Sequence, residues 1–246
     1  MHLPAGLRTF VVLILLAVAP VGAGRAQTVD AAPKGYVVAF GLSDELNVFH
    51  TEAMRAAAIL AQRYGRGVAP VVRTNRRGAA QATPASLRDA LVATAARMDH
   101  DNDVLFVFLT SHGSPRGIAV QSGRRLGFLT PAQLATMLRE TGVRQKVVII
   151  SACYSGIFLP LADANTQVIT AADATHPSFG CEKAATWTFF GRAFFNEALP
   201  KTDNLRDAFE LARAAVLARE RREHYEPSNP QMAGGQSFAA RLRAAR

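Results

Sequence analysis

The segment Val104-Leu105-Phe106-Val107-Phe108-Leu109-Thr110-Ser111-His112-Gly113 runs apolar from its start and then closes on hydroxyls, a histidine and a glycine. A second segment, Val147-Val148-Ile149-Ile150-Ser151-Ala152-Cys153-Tyr154-Ser155-Gly156, follows the same plan and closes on a cysteine. Unbroken apolar runs of this length, rich in Val, Ile and Phe, predict strands buried on both faces, as in a parallel sheet. In open α/β sheets, ligand sites lie beyond the carboxyl ends of such strands. His112 and Cys153 both fall there.

Outward from these runs, strands and helices alternate. Residues 36–41 predict a first strand, followed by a loop through Ser43-Asp44-Glu45-Leu46-Asn47 and a helix over about 51–64, which buries Ala53, Ala57 and Ala61 with Leu60 alongside. Residues 68–73 predict a second strand. Thr83-Pro84 opens a helix that runs to about Met98, with a cap residue followed by proline. Between the two central strands lie a small hairpin, 118–120 with 124–128, and a helix from Thr130-Pro131 to about Glu140, stopped by Gly142. That is the length a crossover between neighbouring parallel strands requires. A strand at 167–170, a polar loop at 173–183 and helices at about 186–199 and 203–223 complete an α/β fold with a mainly parallel sheet covered on both sides.

Residues 1–26 have a basic start at Arg8, an apolar stretch and a small-residue end at Gly24-Arg25-Ala26, the pattern of a cleaved secretory signal. The apolar run falls short of a membrane span, and Pro20 and Gly22 follow it. The expectation is an exported chain, periplasmic or secreted, with a single domain over 27–246. The net charge of +9 falls to +7 on loss of the leader, which carries Arg8, Arg25 and no acid. Export argues against a nucleic-acid partner. Solvated basic helix faces account for the excess, and weak contact with anionic envelope surfaces is the alternative. Cys153 and Cys181 are the only cysteines. An oxidising compartment permits a disulfide between them, at the expense of the residue that closes a buried strand. A zinc site from His112, Cys153, His176 and Cys181 lacks any close-spaced ligand pair.

A cysteine attacks as its thiolate and needs an imidazole or a comparable positive influence nearby. Adjacent strand ends supply one, so His112 and Cys153 form a candidate dyad for acyl transfer. The backbone amides of Gly113 and Cys153 are candidate donors to the oxyanion that develops on the substrate carbonyl. Gly113, without a side chain, allows close backbone approach.

Ser111-His112-Gly113 together with Ala152-Cys153-Tyr154-Ser155-Gly156 resembles the legumain family of cysteine peptidases, in the caspase and gingipain clan, over about 36–216. The resemblance implies a caspase-like three-layer sandwich, a Cys-His dyad, a protein or peptide substrate, and neither metal nor organic cofactor. Asn47-Val48-Phe49-His50 is similar to the family segment whose asparagine supports the catalytic histidine, which makes Asn47 a candidate orienter of His112. His50 is expected to pack rather than react. Ser178-Phe179-Gly180-Cys181 resembles the stretch lining the specificity pocket, with Ser178 as a wall candidate and Cys181 a structural or semi-exposed thiol. Phe49, Ser151 and Arg192 stand where the family's asparagine-recognising arginine, glutamate and aspartate align, so asparagine selectivity is not expected. Arg192 is then either a receptor for an acidic side chain or a solvated helix arginine. The resemblance fits an endopeptidase, and a transamidase would use the same dyad. A non-catalytic binding module on the same scaffold is the alternative from another class.

Overall fold

The computed structural model describes residues 1–2, 32–76 and 79–242, with the side chains of 79 and 80 excepted. The chain divides into Met1–Ala31 and Ala32–Arg246, and the fold is that of the second unit. The signal-like leader lies outside the described residues. No helix among those described is long and apolar enough to cross a membrane.

Five parallel strands form the centre of the main sheet: β1 (Gly35–Gly41), β2 (Val71–Arg76), β4 (Val104–Thr110), β8 (Gln145–Ser151) and β9 (Thr166–Thr170). Short antiparallel strands close its edges, β3 (Ala79–Ala80) on β2 and β10 (Gln231–Ala233) on β9, giving the order β10-β9-β8-β4-β1-β2-β3. The side chains of β4 alternate between two cores. Phe106 and Phe108 join Val37, Ala39, Val147 and Ile149 beneath helices α1 (Asn47–Tyr64) and α5 (Leu205–Arg222). Leu105, Val107 and Leu109 join Val38, Phe40, Val148 and Ile150 beneath α2 (Pro84–Ala95) and α3 (Pro131–Glu140). Full burial of each large apolar side chain contributes roughly 1.5–3 kcal/mol, which explains why neither face of these strands carries the polar alternation of a half-exposed sheet. The result is the expected three-layer sandwich.

Thr83 and Thr130 each close a capping box, with Ser86 and Gln133, so both helices begin where the Thr-Pro pairs predict. Three boundaries differ from expectation. Helix α1 starts at Asn47, because Val48 and Phe49 already belong to its buried face. Strand β2 begins at Val71, just after Pro70, which has no amide hydrogen for the ladder. The helix expected at 186–199 is instead a turn of α-helix, α4 (Phe189–Gly191), continuing as a π-helix, Arg192–Ala198, and a 3-10 turn, Leu199–Lys201. The hairpin becomes a three-stranded antiparallel sheet of β5 (Gly113–Ser114), β6 (Gly117–Ser122) and β7 (Arg125–Leu129), which leads directly out of His112.

Candidate active site

The site begins as a consequence of register. Thr110 of β4 pairs with Ser151 of β8, and the Ser111 amide still donates to the Ser151 carbonyl at 3.3 Å. His112 and Cys153 each lie two residues beyond that pair. A Cβ placed on Gly113 would sit 2.0 Å from the Cys153 carbonyl oxygen, so the two strand exits are packed backbone to backbone where only glycine fits. The Cys153 amide has no hydrogen-bond partner among the described residues and remains available to an incoming acceptor. Tyr154, which follows, takes a left-handed conformation (φ 56°) and its amide donates to the His176 carbonyl at 2.9 Å.

The His112 side chain is a third exposed. Its ring stands edge-on to Phe49, with centroids 4.8 Å apart and planes at 77°. Nε2 is buried and has no hydrogen-bond partner, but Glu45 Oε2 lies 3.3 Å from it. The carboxylate thus lies beside the ring without an aligned hydrogen bond to it. Phe49 is 1% exposed, so it supports the imidazole from below and is not a wall of the substrate pocket as the family alignment suggested. Asn47 is exposed at the first residue of α1 and its side chain makes no hydrogen bond to His112.

Ser178 holds the Cys153 sulfur. Its amide donates to Sγ at 3.3 Å, its hydroxyl lies at 3.8 Å, and Sγ donates to its carbonyl at 3.4 Å. The loop carrying Ser178 is pinned by Asp173, which accepts from the amides of Thr175 and His176 and from Asn229 and lies 2.7 Å from His176 Nδ1. Burial works to raise this carboxyl, but those hydrogen bonds outweigh it and hold the group well below the ordinary carboxylate range. Both cysteines are free thiols. Burial, and then the neighbouring Cys153, push the Cys181 thiol up, which makes Cys181 a poor nucleophile. Among the described residues, no three His, Cys, Asp or Glu side chains converge as metal ligands would.

Beneath the strand exits lies a buried carboxyl. Glu52 of α1 is fully buried and accepts from the Thr188 amide (3.1 Å), the Thr188 hydroxyl (2.7 Å) and the Thr110 hydroxyl. Ser151 Oγ lies 3.1 Å from Thr188 Oγ1 in the same cluster. Burial raises the Glu52 carboxyl above its ordinary range, against the pull of these hydrogen bonds. Ser151, 1% exposed, belongs to this cluster and does not reach a substrate.

The sequence profile of the peptidase C13 family matches residues 88–239. The chain belongs to the peptidase C13 family. Cysteine peptidase chemistry, with a protein substrate, follows from that membership. Among solved structures, the crystal structure of caspase-1 from Spodoptera frugiperda aligns with a TM-score of 0.57 at 12% identity, covering 83% of this chain and 87% of that one. The structure of pro-sf-caspase-1 aligns with a TM-score of 0.52 at 13% identity, covering 82% and 90%. At such identities the likeness is one of fold. No curated protein matches the sequence.

The C13 profile begins at Arg88, inside α2, so Glu45, Asn47, Phe49, His50 and Glu52 all lie outside it. Two of these residues, Glu45 and Glu52, escaped sequence reasoning. Glu45 had no signal, being an ordinary acid in a loop. Glu52 had one: it sits four residues after Val48 and three after Phe49, on the stripe that α1 buries. Arg192 is exposed in a cleft of about 400 Å³ shared with Arg219 of α5 and with Glu223, just past the end of that helix.

Proposed function

We propose that this C13 peptidase is an exported cysteine endopeptidase that cleaves peptide bonds through Cys153, His112 and a thioester. The observation that carries this reading is the matched register of the two strand exits, with Gly113 packed on the Cys153 carbonyl. In the cycle, the Cys153 thiolate attacks the scissile carbonyl, and the resulting oxyanion accepts from the Cys153 and Gly113 amides. The imidazolium of His112 gives its proton to the leaving amine as the carbon–nitrogen bond breaks. Nε2 faces Glu45, which leaves Nδ1 for this transfer. Water, deprotonated by His112, then attacks the thioester and releases the carboxylate product and the thiolate. The signal-like leader at 1–26 supports export.

The test is labelling with an electrophilic acyl probe and location of the modified residue by peptide mass analysis, alongside peptide hydrolysis by wild type, Cys153→Ala and His112→Ala. The expected result is label on Cys153, no hydrolysis by Cys153→Ala, and turnover at least about 10²-fold lower in His112→Ala. Full activity in Cys153→Ala refutes the mechanism. Ligation products in the presence of an added amine would reassign the same thioester to a transamidase.

A further inference from the structure

The turn that carries the nucleophile is tied to one neighbouring segment. The Tyr154 amide donates to the His176 carbonyl at 2.9 Å, and the Gly156 amide donates to the Asp173 carbonyl at 3.3 Å. Between them, Ser155 Oγ donates to the Ala172 carbonyl at 3.3 Å and accepts from the Ala172 amide at 3.0 Å. A Cβ on Gly156 would lie 2.4 Å from the Ala174 amide nitrogen, so the two backbones touch where only glycine fits. The Cys153 sulfur meets the same segment at Ser178, two residues after His176. The nucleophile's sulfur and the three residues that follow it therefore take their positions from residues 172–178.

Asp173 fixes the shape of that segment. Its Oδ1 accepts from the Thr175 amide (2.7 Å), the His176 amide (2.9 Å) and the Thr175 hydroxyl (3.0 Å). His176 Nδ1 lies 2.8 and 2.7 Å from the two carboxylate oxygens. On its other side Asp173 is anchored to the chain beyond α5: its amide donates to the Ser228 carbonyl at 2.9 Å, and Oδ2 accepts from Asn229 Nδ2 at 3.0 Å. Ser228 is held in turn through its amide to the carboxylate of Glu220, which α5 buries. Tyr154 shows what this support maintains. It is a non-glycine residue at φ 56°, a left-handed conformation that its Cβ disfavours and that persists where the surroundings impose it.

We propose that Asp173 is a positioning residue for the peptidase reaction: through the His176 carbonyl it holds Tyr154 in its left-handed turn, and through the same loop it sets Ser178 against the Cys153 sulfur. The proposal rests on the peptidase reading. The carboxylate bonds to groups of the loop and of the chain beyond α5, so it acts on the nucleophile through them. A displacement of about 1 Å at a reacting atom costs about 10²-fold in rate, which is the scale of effect such a residue controls.

The experiment compares wild type, Asp173→Ala, Asp173→Asn and Tyr154→Gly, with each Asp173 variant also combined with Tyr154→Gly. The readouts are kcat and KM over a peptide library and hydrogen exchange of the turn that follows Cys153. Asp173→Ala is expected to lower kcat by about 10²-fold, with KM and the cleavage profile within about threefold of wild type. Exchange at the Tyr154 and Gly156 amides should quicken at least about 10-fold while β4 and β8 exchange as in wild type. Asp173→Asn keeps one acceptor oxygen for the Thr175 and His176 amides, so its kcat should fall by only about 10-fold, and it carries the test if Asp173→Ala does not fold. Tyr154→Gly relieves the left-handed strain, so the loss caused by an Asp173 substitution should be at least about threefold smaller in that background. A residue that merely stabilised the fold would show neither the split between kcat and KM nor this coupling. An Asp173 variant that folds and keeps kcat within about threefold of wild type, unchanged exchange at Tyr154 and Gly156, or strictly additive effects overturns the assignment and leaves the peptidase reading standing. A wild type that cleaves no peptide overturns both.

Discussion

Glu52→Met removes both carboxylate oxygens from the buried cluster while keeping an unbranched side chain of similar reach. Three donors lose their acceptor: the Thr188 amide, the Thr188 hydroxyl and the Thr110 hydroxyl. The Thr188 hydroxyl can turn to Ser151 Oγ at 3.1 Å, but the Thr188 amide has no such choice. At about 1–3 kcal/mol for each buried donor left unpaired, the cost after partial re-pairing is roughly 2–5 kcal/mol. A domain of this size loses about 2–4 °C in Tm per kcal/mol, so thermal denaturation followed by circular dichroism should show a fall of roughly 4–20 °C. Glu52→Gln is the informative partner. Burial, the largest influence, raises the Glu52 carboxyl above its ordinary value of 4.5. Between the unfolded value and the raised native one, the native state holds a proton that the unfolded chain has released. The resulting stabilisation is fully present below the unfolded value and is lost as pH rises through the native value. A carboxamide reproduces the protonated group's one acceptor and one donor side and has no proton to lose, so Glu52→Gln should flatten that decline. A Glu52→Met protein that melts within about 2 °C of wild type would refute this account of the cluster.

Two further substitutions test the site itself. Gly113→Ala places a Cβ 2.0 Å from the Cys153 carbonyl oxygen, so the strand exits must separate by about 1 Å to restore contact; kcat should fall about 10²–10³-fold, the cost of losing one oxyanion donor, and a kcat within threefold of wild type would remove Gly113 from that role. Phe49→Leu loosens the support beneath His112 at a cost of order 1 kcal/mol, so kcat should drop by about 10-fold with KM and the library cleavage profile unchanged, whereas an altered profile would return Phe49 to the pocket wall.

Legibility in the sequence follows how local each determinant is. The apolar runs ending at His112 and Cys153 give strands, adjacency and dyad candidates, because burial on both faces leaves no other conformation for them. Thr83-Pro84 and Thr130-Pro131 give helix starts through capping groups a few residues apart. Strand β10 is three residues with no pattern of its own, present because β9 offers it an edge. Phe49 illustrates a different limit. Alignment with the family's arginine suggested a pocket residue, but an apolar ring at that position of α1 is drawn into the core, where it meets the imidazole instead.

The same distinction separates catalysis from selectivity in this protein. Gly113 and Cys153 are placed by backbone pairing between β4 and β8, so almost any change there disturbs the ladder that sets their approach. Glu45, Arg76 and Lys183, which line one cleft of about 610 Å³, come from the β1–α1 connection, the end of β2 and the loop after Ser178, none of which enters that ladder. Their side chains are exposed, where substitutions away from packed or bonded groups cost little stability. Charge in the cleft can therefore be exchanged while the strand exits remain in register. The asparagine-type charge arrangement can be absent from Phe49, Ser151 and Arg192 without disturbing the approach of His112 and Cys153, because the pairing of β4 with β8 that sets that approach does not depend on the side chains of Phe49 and Arg192.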